Sequence, residues 1–194
     1  TGDLLFYTDG VKIWDRKHNQ MPNGFGLKGS YSSSHSAIII PSPGDTNKYY
    51  IVTTPYPSTE GVKRNVLDMT LNNGLGDLDT NFIPQSNPKK HRYKNQFIGA
   101  YFSATDKVAL TKAKNSNHYW VVFQNEANWQ FHVFLVNDTG WVTKPAQLQG
   151  LGYPFNVPAY GCMKMSPDGS QLAVAYGPIG EVHLYSFDRL NGQV

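Results

Sequence analysis

One stretch near the end of the chain decides the fold: Met163-Lys164-Met165-Ser166-Pro167-Asp168-Gly169-Ser170-Gln171-Leu172-Ala173-Val174-Ala175. Two extended, mainly apolar segments flank Pro167-Asp168-Gly169, where proline presets φ at the first turn position and glycine accepts the left-handed conformation. After a turn at Gly177–Gly180, a third extended segment follows at Glu181–Phe187. These residues predict three antiparallel strands joined by short turns.

The same succession of strands and turns recurs along the rest of the chain. When the units are aligned on their second strands, that strand occurs four times, at Asp3–Thr8, Tyr49–Thr54, Tyr119–Gln124 and Gln171–Tyr176. After the first of these, Asp9-Gly10 favours a tight two-residue hairpin turn with Val11–Asp15 as the partner strand. No segment keeps the apolar spacing of an amphipathic helix. The chain is therefore predicted to be all-β, in four units of about 1–35, 36–97, 98–158 and 159–194.

Each of these small sheets has two faces to bury, so other sheets must pack against it. Stacking four-stranded antiparallel repeats radially, as the blades of a β-propeller, buries both faces. A two-sheet sandwich is the competing arrangement, with shorter and more even strand spacing. We predict one β-propeller-like domain over 1–194, a partial or open propeller of about four blades. Because the first unit lacks its first strand and the last stops inside a turn, we expect a fragment of a larger propeller.

A family resemblance is carried by motifs in all four units. Met163–Ala175 resembles the repeat signature of WD-like and YVTN-like propellers. Three further stretches are Gly2–Asp15 with Met21–Gly24, Ser36–Gly44 with Tyr49–Val52, and Val66–Asp77. Together they are similar to the N-terminal propeller-like region of large secreted surface proteins of the Bacteroidetes group, which often carry PKD-like or Ig-like modules and a type IX secretion sorting tail. The resemblance implies a propeller fold and an extracellular or cell-surface location, and it implies no catalytic residue.

Charge is scarce in this chain, and this limits the expected partners. Charged residues make up 16% of it, against roughly 25% in an average globular protein, and a net charge of +3 is too small to indicate nucleic-acid binding. The basic run Lys89-Lys90-His91-Arg92 with Lys94 is interpreted as a solvated loop, with contact to phosphates or an acidic surface as the alternative. No run of about 18 apolar residues exists to span a membrane. No signal peptide precedes Thr1, so we expect a removed targeting region or a longer parent chain.

Metal, cofactor and redox chemistry find little support in the sequence. The six histidines are scattered without a pair at metal-ligand spacing, so we expect neither a metal nor a cofactor. Cys162 is the only cysteine, which precludes a disulfide within the chain, and its apolar flanks favour a buried structural thiol. Asp77-Leu78-Asp79 with Asn72-Asn73 offers oxygen ligands for calcium but lacks the dense spacing of a calcium-binding loop.

Catalytic motifs are equally weak. No nucleophile elbow is present, and the serines of Ser32–Ser36 adjoin His35 on an extended chain, where adjacent side chains face opposite ways. Four acidic residues are candidates for the paired carboxylates of a glycosidase, with turn formation as the competing interpretation: Asp68, Asp77, Asp79 and Asp106. We assign no catalytic residue, and the sequence favours a protein that is not an enzyme.

Aromatic residues beside polar turns are the better candidates for binding. An exposed ring in such a place can stack on a sugar or anchor a protein partner, and packing between sheets is the alternative. The candidate ligand-binding residues are Trp129, Trp141, Tyr56 and Tyr153.

The sequence therefore favours a non-enzymatic binding, adhesion or scaffold module of a bacterial surface or secreted protein. One alternative is part of a glycoside-cleaving propeller enzyme, and another is a structural subunit of a secreted assembly. The expected partners are the rest of a larger polypeptide or another subunit that completes the propeller, together with a glycan or a cell-surface protein. No nucleic acid is expected.

Overall fold

The regular secondary structure of the described chain is almost entirely β-strand. The computed structural model describes residues 2–55, 61–80, 94–99, 103–142, 147–149 and 160–194. Strands account for 46% of it and helix for almost none, which confirms the all-β prediction. In chain order the strands are β1 Phe6–Thr8, β2 Ile13–Asp15, β3 Ala37–Pro41, β4 Lys48–Thr53, β5 Lys63–Asp68, β6 Asp77–Leu78, β7 Gln96–Phe97, β8 Ala104–Lys112, β9 Tyr119–Asn125, β10 Phe131–Asn137, β11 Gly140–Trp141, β12 Gln147–Gln149, β13 Gly161–Met165, β14 Gln171–Tyr176 and β15 Glu181–Ser186.

Among the described residues, two very short helical segments interrupt the strands, at Leu71–Gly74 (α1) and at Gly177–Ile179, the latter a 3-10 turn. Inside α1, Asn72 and Asn73 have left-handed φ values of 53° and 55°, a conformation that asparagine tolerates better than most residues. The segment is therefore a reverse turn that returns the chain from β5 to β6.

The strands form four antiparallel sheets, each built from one continuous part of the chain. The first sheet is β1-β2, the second is β3-β4-β5-β6 with β7 also on β5, the third is β8-β9-β10-β11 with β12 also on β10, and the fourth is β13-β14-β15. Each of the four predicted units contains the strands of one sheet. That 1–194 is a single propeller-like domain stays a prediction.

The second and third sheets share an unusual outer edge. In the second, β6 pairs with Leu67 and Asp68 at one end of β5, and β7 pairs with its other end. In the third, β11 and β12 divide the edge of β10 in the same way. Both sheets thus have four strand positions, with the fourth filled by two separate short strands. This shared construction indicates that the two sheets are copies of one repeat.

The turn between β13 and β14 has the predicted chemistry. Gly169 has a φ of +71°, and its N–H donates to the carbonyl oxygen of Ser166 at 2.8 Å. The Asp168 carboxylate accepts the hydroxyls of Ser166 and Ser170 at 2.6 and 2.7 Å. These hydrogen bonds, with a backbone N–H of Ser170, lower the pKa of Asp168 to about 2. The turn is therefore stabilised by its own side chains, since a carboxylate that accepts several hydrogen bonds prefers the charged form.

The turn between β1 and β2 differs from the sequence-based expectation. The pairing of Thr8 with Ile13 leaves a four-residue loop, and Gly10 is at a φ of +88° while Asp9 is not in the left-handed region. Asp9 Oδ1 instead accepts the backbone N–H groups of Val11 and Lys12 at 2.8 and 2.7 Å. The predicted two-residue turn is wrong, because the aspartate side chain caps a longer loop.

The four sheets pack face to face in the order in which they occur in the chain. Three apolar clusters, which we call the first, second and third interfaces, join successive sheets. The first interface includes Phe6, Ile13, Ile51 and Leu67; the second includes Ile40, Val52, Val108, Phe123, Phe134 and Trp141; the third includes Trp120, Val122, Phe131, Leu172, Val174 and Tyr176.

Strand alternation explains how one sheet serves two interfaces. Successive side chains of a strand point to opposite faces. Accordingly, Ile51 of β4 lies in the first interface and Val52 in the second. In β9, Val121 lies in the second interface and Val122 in the third. The second and third sheets are thus covered on both faces, and the described residues do not close the stack into a ring.

Candidate functional site

Buried polar residues gather in the first half of β8. The pairing of β8 with β9 shifts register between Ala104 and Val108, and Thr105, Asp106 and Lys107 in this irregular part are all buried. A bulge of this kind redirects side chains that would otherwise alternate. Asp106 and Lys107 reach toward different neighbouring sheets.

Asp106 connects the third sheet to the segment that precedes β3. Its Oδ2 accepts both the backbone N–H and the hydroxyl of Ser34, at 3.1 and 3.0 Å. Its Oδ1 is buried and has no hydrogen-bond partner among the described residues. Burial and the charge of Lys164 lower the pKa of the adjacent His35, opposed by Asp106, so this imidazole is neutral at neutral pH. The arrangement holds a loop against the third sheet.

The other serine hydroxyls of this segment are also used in structural contacts. Ser33 donates to the carbonyl oxygen of Thr54 at 3.0 Å, and Ser36 donates to that of Asp9 at 2.7 Å. The Thr54 hydroxyl donates in turn to the carbonyl oxygen of His35. The hydroxyls of Ser33 and Ser36 thus join this segment to residues that are distant in sequence.

Lys107 points toward the third interface and is 0% exposed. Its Nζ lies 5.6 Å from the ring centre of Trp129 and 5.3 Å from that of Tyr176. Burial lowers the pKa of Lys107 to about 8, and the nearby charges of Asp106 and Glu126 oppose this shift. The ammonium group is therefore held between aromatic faces, which attract a cation, at a cost in lost hydration.

The link between Asp106 and Ser34 can be tested by substitution. Asp106→Ala is expected to lower the free energy of unfolding by about 2 kcal/mol, because a charged acceptor of two hydrogen bonds is lost. Asp106→Asn is the matched control and is expected to cost less, since its carbonyl oxygen can still accept from Ser34. Urea denaturation measures the stability, and hydrogen exchange of the Ser34 amide reports the local contact. Equal stability of the wild type and the alanine variant would contradict this role.

The acidic candidates for a glycosidase are only partly brought together. Asp68 and Asp77 lie directly opposite each other on β5 and β6. Asp77 accepts the backbone N–H and the side-chain amide of Asn23 at 2.9 and 2.7 Å, which joins the first unit to the second sheet. Asp68 accepts the backbone N–H and hydroxyl of Thr70. Asp79 follows β6 in the same sheet, whereas Asp106 lies in the third.

Trp129 and Trp141 are buried, at 4% and 7% exposure. The backbone of Trp129 has a φ of +61°, and its ring packs against Tyr176 in the third interface at a ring-centre distance of 6.1 Å. Trp141 donates its indole N–H to the carbonyl oxygen of Ile98 at 2.8 Å. Both rings therefore pack between sheets, which is the packing interpretation that the sequence left open. Ligand binding by them stays a prediction, and Tyr56 and Tyr153 lie outside the described residues.

Two other expectations concern single residues. Cys162 is a free cysteine that is partly exposed, so the expectation of a buried thiol is wrong. Within the basic run only Lys94 is among the described residues. Its Nζ donates to the carbonyl oxygen of Asn23 at 3.1 Å and lies 4.1 Å from the ring centre of Phe25. Lys94 therefore packs onto the first unit.

The outer face of the fourth sheet carries exposed apolar side chains. The pairing of β13, β14 and β15 places six side chains, Cys162, Lys164, Ala173, Ala175, Val182 and Leu184, on the face turned away from the third sheet, together with the polar side chains of Gln171 and Ser186. Val182 is 65% exposed and Leu184 is 67% exposed. None of the six belongs to an interface between the described sheets. We call this surface the aliphatic face.

The opposite end of the stack carries an aromatic surface. Tyr7 of β1 pairs with Trp14 of β2 on the side turned away from the second sheet, and their rings stack at 5.3 Å with an angle of 13°. The Tyr7 hydroxyl lies 3.3 Å from Nδ1 of His18. We call these three residues the aromatic face. This surface was not predicted from the sequence, although Tyr7 and Trp14 both belong to predicted strands.

Metal, membrane and family comparisons give no further assignment. Over the described ranges, no three His, Cys, Asp or Glu side chains are grouped so that they could hold a metal ion. In the same ranges no helix is long and apolar enough to cross a membrane. The chain was compared with protein-family models and with curated proteins, and it matches none of them.

Proposed function

We propose that this chain is an arc of β-propeller blades and acts as a non-enzymatic binding or scaffold module of a bacterial surface or secreted protein. The observation that carries the proposal is the contrast between the middle and the ends of the stack. The second and third sheets are covered on both faces, whereas the aliphatic face leaves Val182 and Leu184 largely exposed. An exposed apolar patch of this kind marks an interaction surface.

Three features support a propeller arc over a two-sheet sandwich. The sheets number four, they stack in chain order, and the second and third share a divided fourth strand. A sandwich consists of two sheets that share one core. Blades of a propeller instead each pack on two neighbours. The surface or extracellular location rests on the family resemblance of the sequence.

The absence of catalytic activity is proposed from the partners of the polar residues. Asp77 and Asp106 accept hydrogen bonds that join separate parts of the chain. Lys107 lies buried between two sheets. Side chains in such positions stabilise the stack and are not directed toward a substrate.

A glycoside-cleaving enzyme is the second candidate function, since Asp68 and Asp77 face each other across β5 and β6. Paired carboxylates are what glycoside hydrolysis requires. The two candidates differ in turnover, so we would incubate the chain with a panel of bacterial and plant polysaccharides and measure new reducing ends. We expect none.

The same panel, immobilised, tests binding. We expect retention on a polysaccharide to fall when the stacked rings are removed by Tyr7→Ala or Trp14→Ala, with Leu190→Ala as a control at an exposed position after β15. Hydrolysis that disappears in Asp68→Asn while the circular dichroism spectrum is unchanged would overturn the non-enzymatic proposal.

A further inference from the structure

Two half-exposed phenylalanine rings, one in the first unit and one on β7, lie against lysine ammonium groups. Phe25 is 50% exposed and Phe97 is 49% exposed. The Nζ atom of Lys94 lies 4.1 Å from the ring centre of Phe25, and that of Lys63 lies 3.2 Å from the ring centre of Phe97. Each ring thus combines a neighbouring cation with apolar surface that solvent can reach.

The segment from Lys94 to Phe97 is held in place from two sides. Asn95 has a left-handed φ of 54°, a conformation that asparagine tolerates. Its backbone N–H donates to Oδ1 of Asn65 at 2.8 Å, and its side-chain amide donates to the carbonyl oxygen of Gly26 at 2.9 Å. The segment is therefore fixed both to the second sheet and to the first unit. Side chains that are positioned before a ligand arrives lose less conformational entropy on binding.

The positive charge of Lys94 is only partly compensated. Among the described residues its ammonium group forms one hydrogen bond, with the carbonyl oxygen of Asn23 at 3.1 Å, and no ion pair. Burial lowers the pKa of Lys94, and the charge of Asp77 opposes this shift. Both carboxylate oxygens of Asp77 already accept hydrogen bonds from Asn23. Because an ammonium group has three donors and bonds most strongly to anionic acceptors, Lys94 can bind a carboxylate from outside the chain.

The sequence around Lys94 is basic. Residues 80–105 contain neither Asp nor Glu, and they contain four Lys or Arg residues, Lys89, Lys90, Arg92 and Lys94. A local excess of positive charge raises the concentration of anions near it. The charge therefore favours an anionic ligand over a neutral one.

We propose that Phe25, Lys94 and Phe97, which we call the Lys94 site, bind an acidic polysaccharide whose sugars carry carboxylate groups. A sugar stacks its apolar face on an exposed ring, and its carboxylate accepts hydrogen bonds from Lys94. Two rings, each beside an ammonium group, suit a polymer that repeats sugar and carboxylate. The inference rests on the proposed function, because it names the class of polysaccharide. It adds a site that is separate from the aromatic face.

Single-stranded nucleic acid is the alternative anionic ligand, since its bases also stack on aromatic rings. Proteins that bind it present a positively charged groove that follows the phosphate backbone. The net charge of this chain is only +3, which is small for such a protein. A polysaccharide is therefore the ligand that the observations favour.

Isothermal titration calorimetry of the full chain with polygalacturonate tests the proposal. Fully methyl-esterified polygalacturonate is the matched neutral ligand, because its sugar rings are the same and its carboxylates are masked. The wild type is expected to bind the acidic polymer about tenfold more tightly than the ester, as a charge-assisted hydrogen bond allows. This preference is expected to shrink as the salt concentration rises.

Substitutions separate the charge from the ring. Lys94→Met is expected to abolish the preference for the acidic polymer, whereas Lys94→Arg keeps the charge and is expected to retain it. Lys112→Met is the matched control, because it removes one charge at the exposed end of β8. Phe25→Ala is expected to weaken binding of both polymers by about tenfold. Its control is Tyr160→Ala, which removes a ring that is 48% exposed just before β13. Circular dichroism verifies that each variant is folded.

Three results would overturn the Lys94 site. They are equal affinity of the wild type for the two polymers, tighter binding to polydeoxythymidylate than to polygalacturonate at one ionic strength, and an effect of Lys112→Met as large as that of Lys94→Met. The proposed function is judged separately. Binding of neutral polysaccharide that is lost in Tyr7→Ala would uphold that function even if the Lys94 site failed, whereas a wild type that binds no polysaccharide would contradict both.

Discussion

Phe123→Ala is expected to lower the free energy of unfolding by about 3–5 kcal/mol, the range found for removing a large aromatic ring from a protein core. Phe123 is fully buried in the second interface. Its ring lies 5.9 Å from that of Phe134, at an angle of 75°, a geometry that adds to the apolar contribution. The cavity would open between the second and third sheets. The substitution therefore weakens the packing that holds these two sheets together.

Chemical denaturation of the wild type and the variant measures this loss. Tyr31→Ala is the control, because Tyr31 is exposed before β3, and its effect is expected to stay within about 0.5 kcal/mol. Total stabilities of domains are about 5–15 kcal/mol, so the Phe123 variant is expected to be marginally folded. A loss of less than about 1 kcal/mol would contradict the packing of the second and third sheets.

Lys107→Met is expected to change how stability depends on pH. The pKa of Lys107 is lowered by burial from 10.5 to about 8 in the folded chain. Below about pH 8 both the folded and the unfolded chain carry the proton, and the full cost of the buried charge is present. Between about pH 8 and 10.5 the folded chain has lost the proton and the unfolded chain retains it, so stability rises with pH.

The magnitude follows from the size of the shift. Each pKa unit corresponds to about 1.4 kcal/mol, so the wild type is expected to gain ~3 kcal/mol relative to Lys107→Met across this range. Taking the difference between the two proteins removes the titration of all other groups. Lys112→Met, at the exposed end of the same strand, is the control. Parallel stability curves for the wild type and Lys107→Met would show that Lys107 is not buried as a charged group.

The strands and most turns could be predicted from the sequence because they depend on neighbouring residues. Pro167-Asp168-Gly169 contains the proline, the acceptor and the glycine that its turn requires, and the structure uses all three. Asn72 and Asn73 form their turn for a similarly local reason.

Asp9-Gly10 shows the limit of local prediction. The residue pair favours a two-residue turn, but the Asp9 carboxylate can also cap a longer loop, and the structure contains the longer loop. The loop length sets the register, and the observed register places Tyr7 opposite Trp14. The predicted turn would have paired Tyr7 with another residue, which is why the aromatic face was missed.

Most of the strands and turns, and the alternation of side chains along each strand, follow from the amino-acid sequence. Successive side chains of a strand point to opposite faces, and this rule assigns Val122 to one face of β9. It assigns Ala173 to one face of β14 for the same reason. Only the tertiary structure decided which faces are covered. Trp129 and Trp141 are buried because neighbouring sheets pack over them, and Leu184 is exposed because no described sheet packs on its face. The periodicity of a strand is a local property of the chain, whereas burial depends on contacts between residues that are distant in sequence.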